Sequence, residues 1–413
     1  MTRMKDSGIE WIGEVPEEWV VTKFKFLGTA KNGLTYSPEN IVEQTEGVLV
    51  LRSGNIQNNK LVFDNNVYVN SQIEPSIFLK KGDILITARN GSANLIGKNA
   101  IVEESILATY GAFMMVFRVN KRMKSKFAYY LMDSSFDFYR TFFTTSTVNQ
   151  LTAGIFYNIE VPLPTIVEQT QITDFLDKKV AQLDKVKSLL EEQIKTLEDY
   201  RQSLIYETVT KGLDKTVPLK DSGVDWIGQI PEGWEITRLK YICGMQSGNN
   251  LTSLEISSEN DGGKIFPVYG GNGQRGYYND FTNEGNYCLV GRQGALAGNV
   301  HFVSGKFWAT DHAIVVYEHT HTYSKYVYYL LKVMNINQYA FETSAQPGLS
   351  VEKILQLETI HCPKGEQTQI ADFLDKKTEQ INQMIAIKKE QIENINKQRQ
   401  TLIYDVVTGK RRV

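Results

Sequence analysis

The chain has 413 residues, 42% of them apolar and 22% charged, and a formal net charge of −2. That composition excludes a disordered chain, and no uninterrupted apolar run approaches the ~18 residues that a membrane span needs. A lone nucleic-acid binder usually carries a basic excess, but charge acts locally: 15 Lys/Arg face 11 Asp/Glu between Val20 and Thr165, and 9 face 11 between Glu235 and Pro363, where all five histidines also lie.

In chain order, the start "MTRMKDSGIEWIG" has no apolar core of the secretory kind, so no export signal and no membrane association are expected. Residues 5–19, "KDSGIEWIGEVPEEW", form an entrance that recurs as "KDSGVDWIGQIPEGW" at 220–234, an offset of 215 (220 − 5). Trp11, Trp19, Trp226 and Trp234 bracket a Gly-Pro turn in each copy and read as core or helix-docking residues. A second match, "EQTQITDFLDKK" at 168–179 and "EQTQIADFLDKK" at 366–377, has an offset of 198. "RQSLIYETVT" (201–210) returns as "RQTLIYDVVT" (399–408). Fainter matches keep the same order: "RNG" (89–91) with "RQG" (292–294), "ATYGA" (108–112) with "ATDHA" (309–313), "SKFAYYLM" (125–132) with "SKYVYYLL" (324–331). The chain is one duplicated unit whose second copy is 17 residues shorter inside (215 − 198).

Each middle reads as a strand-rich head. Short β-branched and aromatic runs alternate with Gly/Asn turns, and a helical pattern follows at 126–143 and at 324–334. From Glu168 to Thr210 there is neither Pro nor Gly, and Leu176, Leu183, Leu190, Leu197 and Leu204 fall seven apart. Leu374, Ile381, Ile395 and Leu402 keep the same phase in the second copy, with Lys388 at a position where Leu is expected. Such heptads predict two long helices that return antiparallel and zip together. Pro164 precedes the first helix, Thr170 is its candidate cap, and Gly212 its stop. The expected fold is α/β (α+β): two pseudo-twofold-related globular heads separated by an antiparallel pair of long helices, a coiled coil. The expected boundaries are 1–19, a first head at 20–165, a helix at 166–212, a linker and second entrance at 213–234, a second head at 235–363 and a second helix at 364–413.

Two glycine-rich loops mimic phosphate cradles. "GSANLIGKN" (91–99) spaces its glycines by five residues rather than four and has Asn99 where Ser or Thr should meet magnesium. "GNGQRG" (271–276) is followed by "YYNDF", a poor helix, so no helix N-terminus awaits a pyrophosphate. The loops instead carry Arg52, Asn55, Gln57, Arg89, Asn90 and Lys98 in the first head, and Asn272, Gln274, Arg275, Arg292, Gln293 and His312 in the second. Arg can grip guanine O6/N7 with two bonds, and Asn or Gln can do the same to adenine. Lys suits phosphates. Taken singly, each is also readable as an ordinary exposed loop residue; the paired Arg-amide-Gly at 89–91 and 292–294 raises those two. No catalytic motif of the G-x-S-x-G, H-E-x-x-H or C-x-x-C kind occurs, and the three scattered cysteines fit a reducing cytoplasm rather than a disulfide framework or a zinc site.

The doubled "WIG.[VI]PE.W" entrances, the doubled "EQTQI.DFLDKK" segments that lead long helices, and the heads with "GDILI", "PVYGGNG" and "ATDHA" resemble the specificity (S) subunit of Type I restriction–modification enzymes. The resemblance covers essentially the whole chain. It implies that each head is a target recognition domain reading one half of a split double-stranded DNA sequence. The helices would act as a ruler and dock two modification (methyltransferase) subunits, through which restriction/translocase subunits join. Catalysis would belong to those partners, with S-adenosylmethionine, ATP and Mg; no cofactor or metal is expected in this chain. The competing readings are a two-headed coiled-coil adaptor that binds no DNA, and a self-sufficient restriction or methylation enzyme.

Overall fold

The computed structural model describes residues 3–140, 149–294, 297–343 and 346–413. Six α-helices occur among them: α1 (Ser125–Tyr139), α2 (Ala153–Asn158), α3 (Ile166–Lys211), α4 (Ser324–Val333), α5 (Val351–Leu355) and α6 (Lys364–Val407). The helical pattern at 126–143 is met by α1 as far as Tyr139; residues 141–143 lie outside the described ones. The chain divides into two compact units, residues 1–190 with 390–413, and residues 191–389. Each long helix is therefore shared: its first part belongs to one unit and its second part to the other.

In the first unit the head is built on an antiparallel sheet in the order Asn99–Ile101, Ile84–Thr87, Met114–Val119, Gly28–Asn32. A second sheet pairs Ala108–Tyr110 in parallel with Val48–Leu51, and continues through Val67–Val69 to Ile41–Val42. In the second unit the order Val300–Ala309, Asn283–Gly291, Ala313–Glu318, Cys243–Ser247 repeats the first sheet. The far end of Val300–Ala309 also pairs in parallel with Phe266–Gly270, so one long strand joins what the first head splits into two sheets. Each head closes the same way: Val20–Lys23 pairs with Glu160–Leu163, and Glu235–Arg238 with Glu358–His361.

The repeated segments make the same contacts in both units. The second Trp of each entrance is buried, and its indole donates to the Glu of "EQTQI": Trp19 Nε1 to Glu168 Oε1 at 3.3 Å, and Trp234 Nε1 to Glu366 Oε2 at 2.9 Å. The following Gln is fully buried and clamps the chain that leads into the head's helix. Gln169 Oε1 accepts from Lys124 N at 2.8 Å while its Nε2 donates to Arg122 O and Pro164 O; Gln367 Oε1 accepts from Tyr323 N at 2.9 Å while its Nε2 donates to Cys362 O at 2.8 Å. The Asp of "FLDKK" then accepts a tyrosine hydroxyl from the head, Tyr130 to Asp177 at 2.8 Å and Tyr329 to Asp375 at 2.6 Å.

Helix starts and stops follow local chemistry. The first turn of α3 is capped by Thr165, not by the expected Thr170: Glu168 N donates to Thr165 Oγ1 at 3.3 Å, and Thr165 N donates back to Glu168 Oε2 at 3.1 Å. The helix starts directly after the Pro164–Thr165 corner, so Thr170 already lies inside it and donates to Ile166 O. Gly212 ends α3 at φ +68°, where a side chain would be strained, and the indole of Trp234 lies against it.

Within each unit the start of one long helix lies against the end of the other. Ile172, Leu176 and Val180 share a core with Ile403, Val406 and Val407; Ile205 and Val209 share one with Ile370, Ala371 and Leu374. That is an antiparallel pairing in each. Burial along the heptads is uneven. Leu176, Leu374 and Ile381 are buried, the first two within the head cores. Leu183, Leu190, Leu197, Leu204, Ile395 and Leu402 are half-buried. Polar contacts supplement the seam: in the first unit Arg399 of α6 lies 3.8 Å from Asp184 of α3 while it also reaches Asp133 of α1 at 2.9 Å, and in the second Lys388 Nζ donates to Gln193 Oε1 at 2.6 Å. Lys388 thus explains the missing leucine at its heptad position, because it pairs across the seam.

Candidate nucleic-acid interface

The two phosphate-loop mimics resolve into packing. Gly97 turns at φ +80°, and a Cβ there would come 2.9 Å from the Phe136 ring. "GNGQRG" runs into the strand Gly273–Tyr278, with no helix behind it, and a Cβ on Gly276 would come 2.2 Å from Ser257 O. These glycines permit close chain approach.

In the first head, Arg52 and Arg89 border the loop Gly111–Met114. Arg52 is exposed at the rim of a cleft of about 670 Å³ lined by Leu34, Tyr36, Ile41, Gly54 and Phe113; among its lining residues Arg52 is the sole charged one. Its guanidinium donates to Asn65 O at 3.0 Å. Arg89 donates to Gln150 Oε1 at 2.8 Å, and its guanidinium carbon lies 5.5 Å from the Phe113 ring centroid. Gln57 is exposed and donates to Gly54 O at 3.4 Å, beside the same cleft. Asn90 accepts from Ser92 N and shapes the turn after Arg89. Lys98 is half-buried, and desolvation pushes its ammonium pKa down.

Asn55 is a correction. It is 2% exposed: its Oδ1 accepts from Arg52 N at 2.9 Å, and its Nδ2 donates to Val62 O at 3.0 Å and Asn66 Oδ1 at 3.3 Å. Its amide is engaged within the protein on both ends, capping the short helical turn Ser53–Asn55 and tying it to Val62 and Asn66, so its buried side chain braces the loop that carries Arg52 rather than standing exposed on it.

In the second head the backbone brings Gly271, next to Asn272, up against Gln293 and His312. The Cα of Gly271 lies so close that a Cβ would stand 3.2 Å from His312 O and 3.4 Å from Gln293 O. Arg292 N donates to His312 O at 2.9 Å. Asn272 accepts from Asn299 Nδ2 at 3.4 Å. Arg275 reaches Ser253 Oγ at 3.4 Å, on the hairpin strand that also carries the exposed Gln274.

The hydrogen-bond ladders correct the register between the heads. Ala88 N donates to Phe113 O and Arg292 N to His312 O; Ala88 O accepts from Leu151 N and Arg292 O from Leu349 N. Ala88 therefore matches Arg292, Arg89 matches Gln293, and Phe113 matches His312. The bridges Arg89–Gln150 and Gln293–Gly348 repeat that pairing. Matching "RNG" to "RQG" is off by one residue, and "ATYGA" to "ATDHA" by two. In extended chain one residue exchanges the two faces, so Arg89 and Arg292 do not occupy equivalent places. Phe113 and Gln150 are the site residues that sequence reading missed; only the true register exposes Phe113 as the counterpart of His312.

Among the described residues, no cluster of His, Cys, Asp and Glu could hold a metal ion, and no helix is long and apolar enough to cross a membrane. The family model described as the Type I restriction modification DNA specificity domain matches residues 16–198 and again 231–395. The Type I restriction enzyme EcoprrI specificity subunit of Escherichia coli is 40% identical over 33% of this chain and 34% of its own length. Matches to two further enterobacterial specificity subunits also span well under two thirds of those relatives, 56% and 43%. The putative MjaX specificity subunit of Methanocaldococcus jannaschii is 25% identical over 97% of this chain and 96% of its own. A chain from a solved type I R-M system, studied for complex assembly and conformational transition, superposes with a TM-score of 0.73 over 96% of this chain and 99% of that one, at 15% identity, and so shares the fold. The duplicated frame and the doubled family match agree: this chain belongs to the Type I restriction modification DNA specificity family and carries its domain twice.

Proposed function

We propose that each head reads one half of a two-part double-stranded DNA sequence, and that the long helices set the unread gap and dock two modification subunits, to which restriction/translocase subunits attach. The chain itself performs no catalysis; S-adenosylmethionine, ATP and Mg act in the partners. One observation carries this reading. The same strand frame is built twice, yet the residues carried on its loops differ in kind: Arg52, Arg89 and Phe113 in one head, Asn272, Gln293 and His312 in the other. A repeated frame presents the same kind of ligand, and diverged side chains select different members of it. Base edges of a duplex meet that requirement, because Arg, Asn and Gln match their donor and acceptor patterns. The near-neutral net charge fits a subunit whose partners supply part of the phosphate contact.

The test is to express the chain with its modification subunits and map methylated adenines across a genome. Two short specified blocks separated by a constant unspecified gap are expected. One continuous motif, or methylation without sequence preference, would refute the reading. Methylation or cleavage of DNA by the purified chain alone would establish the self-sufficient enzyme instead.

A further inference from the structure

We propose that Phe113 is a specificity-determining residue of the first head, and that its ring reads the 5-methyl group of a thymine in the major groove, beside a guanidinium supplied by Arg89. This rests on the DNA-reading role proposed above.

Three observations lead here. Phe113 is 60% exposed, and an exposed apolar side chain is informative where it belongs to a contiguous apolar patch. It does not stand alone: with Leu34, Tyr36 and Ile41 it forms an apolar cleft whose sole charged lining residue is the cation Arg52, so a polyanion carrying apolar edge groups is the complementary occupant. Among the bases of DNA, thymine presents a methyl group in the major groove. Second, Arg89 is already arranged for a neighbouring base. Gln150 holds one edge of its guanidinium, and the Phe113 ring lies 5.5 Å from its carbon, leaving the remaining N–H groups for an acceptor pair such as guanine O6/N7. Third, the backbone register makes Phe113 the counterpart of His312. The same point on the frame therefore offers an apolar ring in one head and a hydrogen-bonding ring in the other, as expected where two readers of one ancestry have acquired different sequences.

The test uses the full complex with its modification subunits and duplexes of its mapped site. Each thymine of the first head's half is replaced in turn by deoxyuridine, which lacks only the methyl group. At one position the wild-type complex should bind the deoxyuridine duplex about fourfold more weakly, the worth of one buried methyl group. The Phe113→Ala complex should bind the two duplexes equally at that position, and keep its discrimination in the other half. Phe113→Leu, which remains apolar, should retain part of the preference. Selective binding with no thymine-over-deoxyuridine preference in that half, or with the preference intact in Phe113→Ala, overturns the assignment of Phe113 and leaves the two-part reading standing. A complex that binds every duplex alike sinks both.

Discussion

Tyr404, near the end of α6, donates its hydroxyl to the carbonyl oxygen of Trp11 at 3.1 Å, so the last helix of the chain anchors its first hairpin. Tyr206, near the end of α3, donates in the same way to Ile227 O at 3.0 Å in the second entrance. The entrance is written twice because each long helix needs one at its end. "DSG" and "WIG" are the turn chemistry of that element: Gly8, Gly13, Gly223 and Gly228 all sit near φ +70°, and Asp6 and Asp221 accept from the first glycine of each pair.

Tyr404→Phe and Tyr206→Phe should each cost about 1 kcal/mol, the net worth of one partly buried hydrogen bond. Chemical denaturation of the two variants checks this. Equal losses support equivalent roles; a silent variant at either position contradicts them.

Gln169→Ala and Gln367→Ala should be more damaging. Each removes a fully buried amide and strands a backbone N–H and backbone carbonyls that it satisfied. Unmet buried groups cost about 1–3 kcal/mol each. A loss under 1 kcal/mol for either would show that the clamp is dispensable.

Asp83 is 1% exposed and receives Arg118 through both carboxylate oxygens, Nε at 2.7 Å and Nη2 at 2.6 Å, along with Lys80 N at 2.8 Å. The carboxylate raises the Arg118 pKa further. Asp83→Ala should destabilise the first head by about 3 kcal/mol, the low end for breaking a buried pair, since the Arg118 side chain keeps 32% exposure. Thermal unfolding reads the loss.

All three cysteines are buried, and desolvation raises each thiol pKa: Cys243 and Cys362 to about 12, and Cys288 well above its ordinary value of 9.0. At pH 8 the folded protein should resist thiol reagents that label it fully once unfolded. The sign for stability follows. The thiols stay protonated in the folded state but ionise near pH 9 in the unfolded chain, so their contribution is full below that pH and falls as pH climbs toward 12. Rapid labelling of the native protein at pH 8 would contradict this burial.

Much of this was legible in the sequence because the repeats encode contacts that recur. Trp19, Glu168, Gln169 and Asp177 are preserved in the second copy as Trp234, Glu366, Gln367 and Asp375, since each serves the same hydrogen bond in its own unit. The long helices announced themselves by heptads and by the absence of Pro and Gly. Register within the heads was not legible. Short identical strings pull an alignment toward letters, while the ladder depends on loop lengths that differ between copies. Gly33 and Gly248 are equivalent at an offset of 215 (248 − 33), because a Cβ would come 2.0 Å from Tyr110 O in one head and 2.3 Å from Ala309 O in the other. Phe113 and His312 are equivalent at 199 (312 − 113). Asn55 misled because an amide at a turn looks the same in sequence whether it faces solvent or spends itself on the backbone.

The most direct measurement of the central claim is half-site-resolved binding by the assembled complex. Duplexes carrying one intact half and one randomised half would be titrated against the wild type, Arg89→Ala and Gln293→Ala, the structural counterparts in the two heads. Arg89→Ala should lose about tenfold or more in discrimination for one half and none for the other, and Gln293→Ala should show the reverse. Equal losses at both halves from either substitution would contradict two independent readers on one duplicated frame.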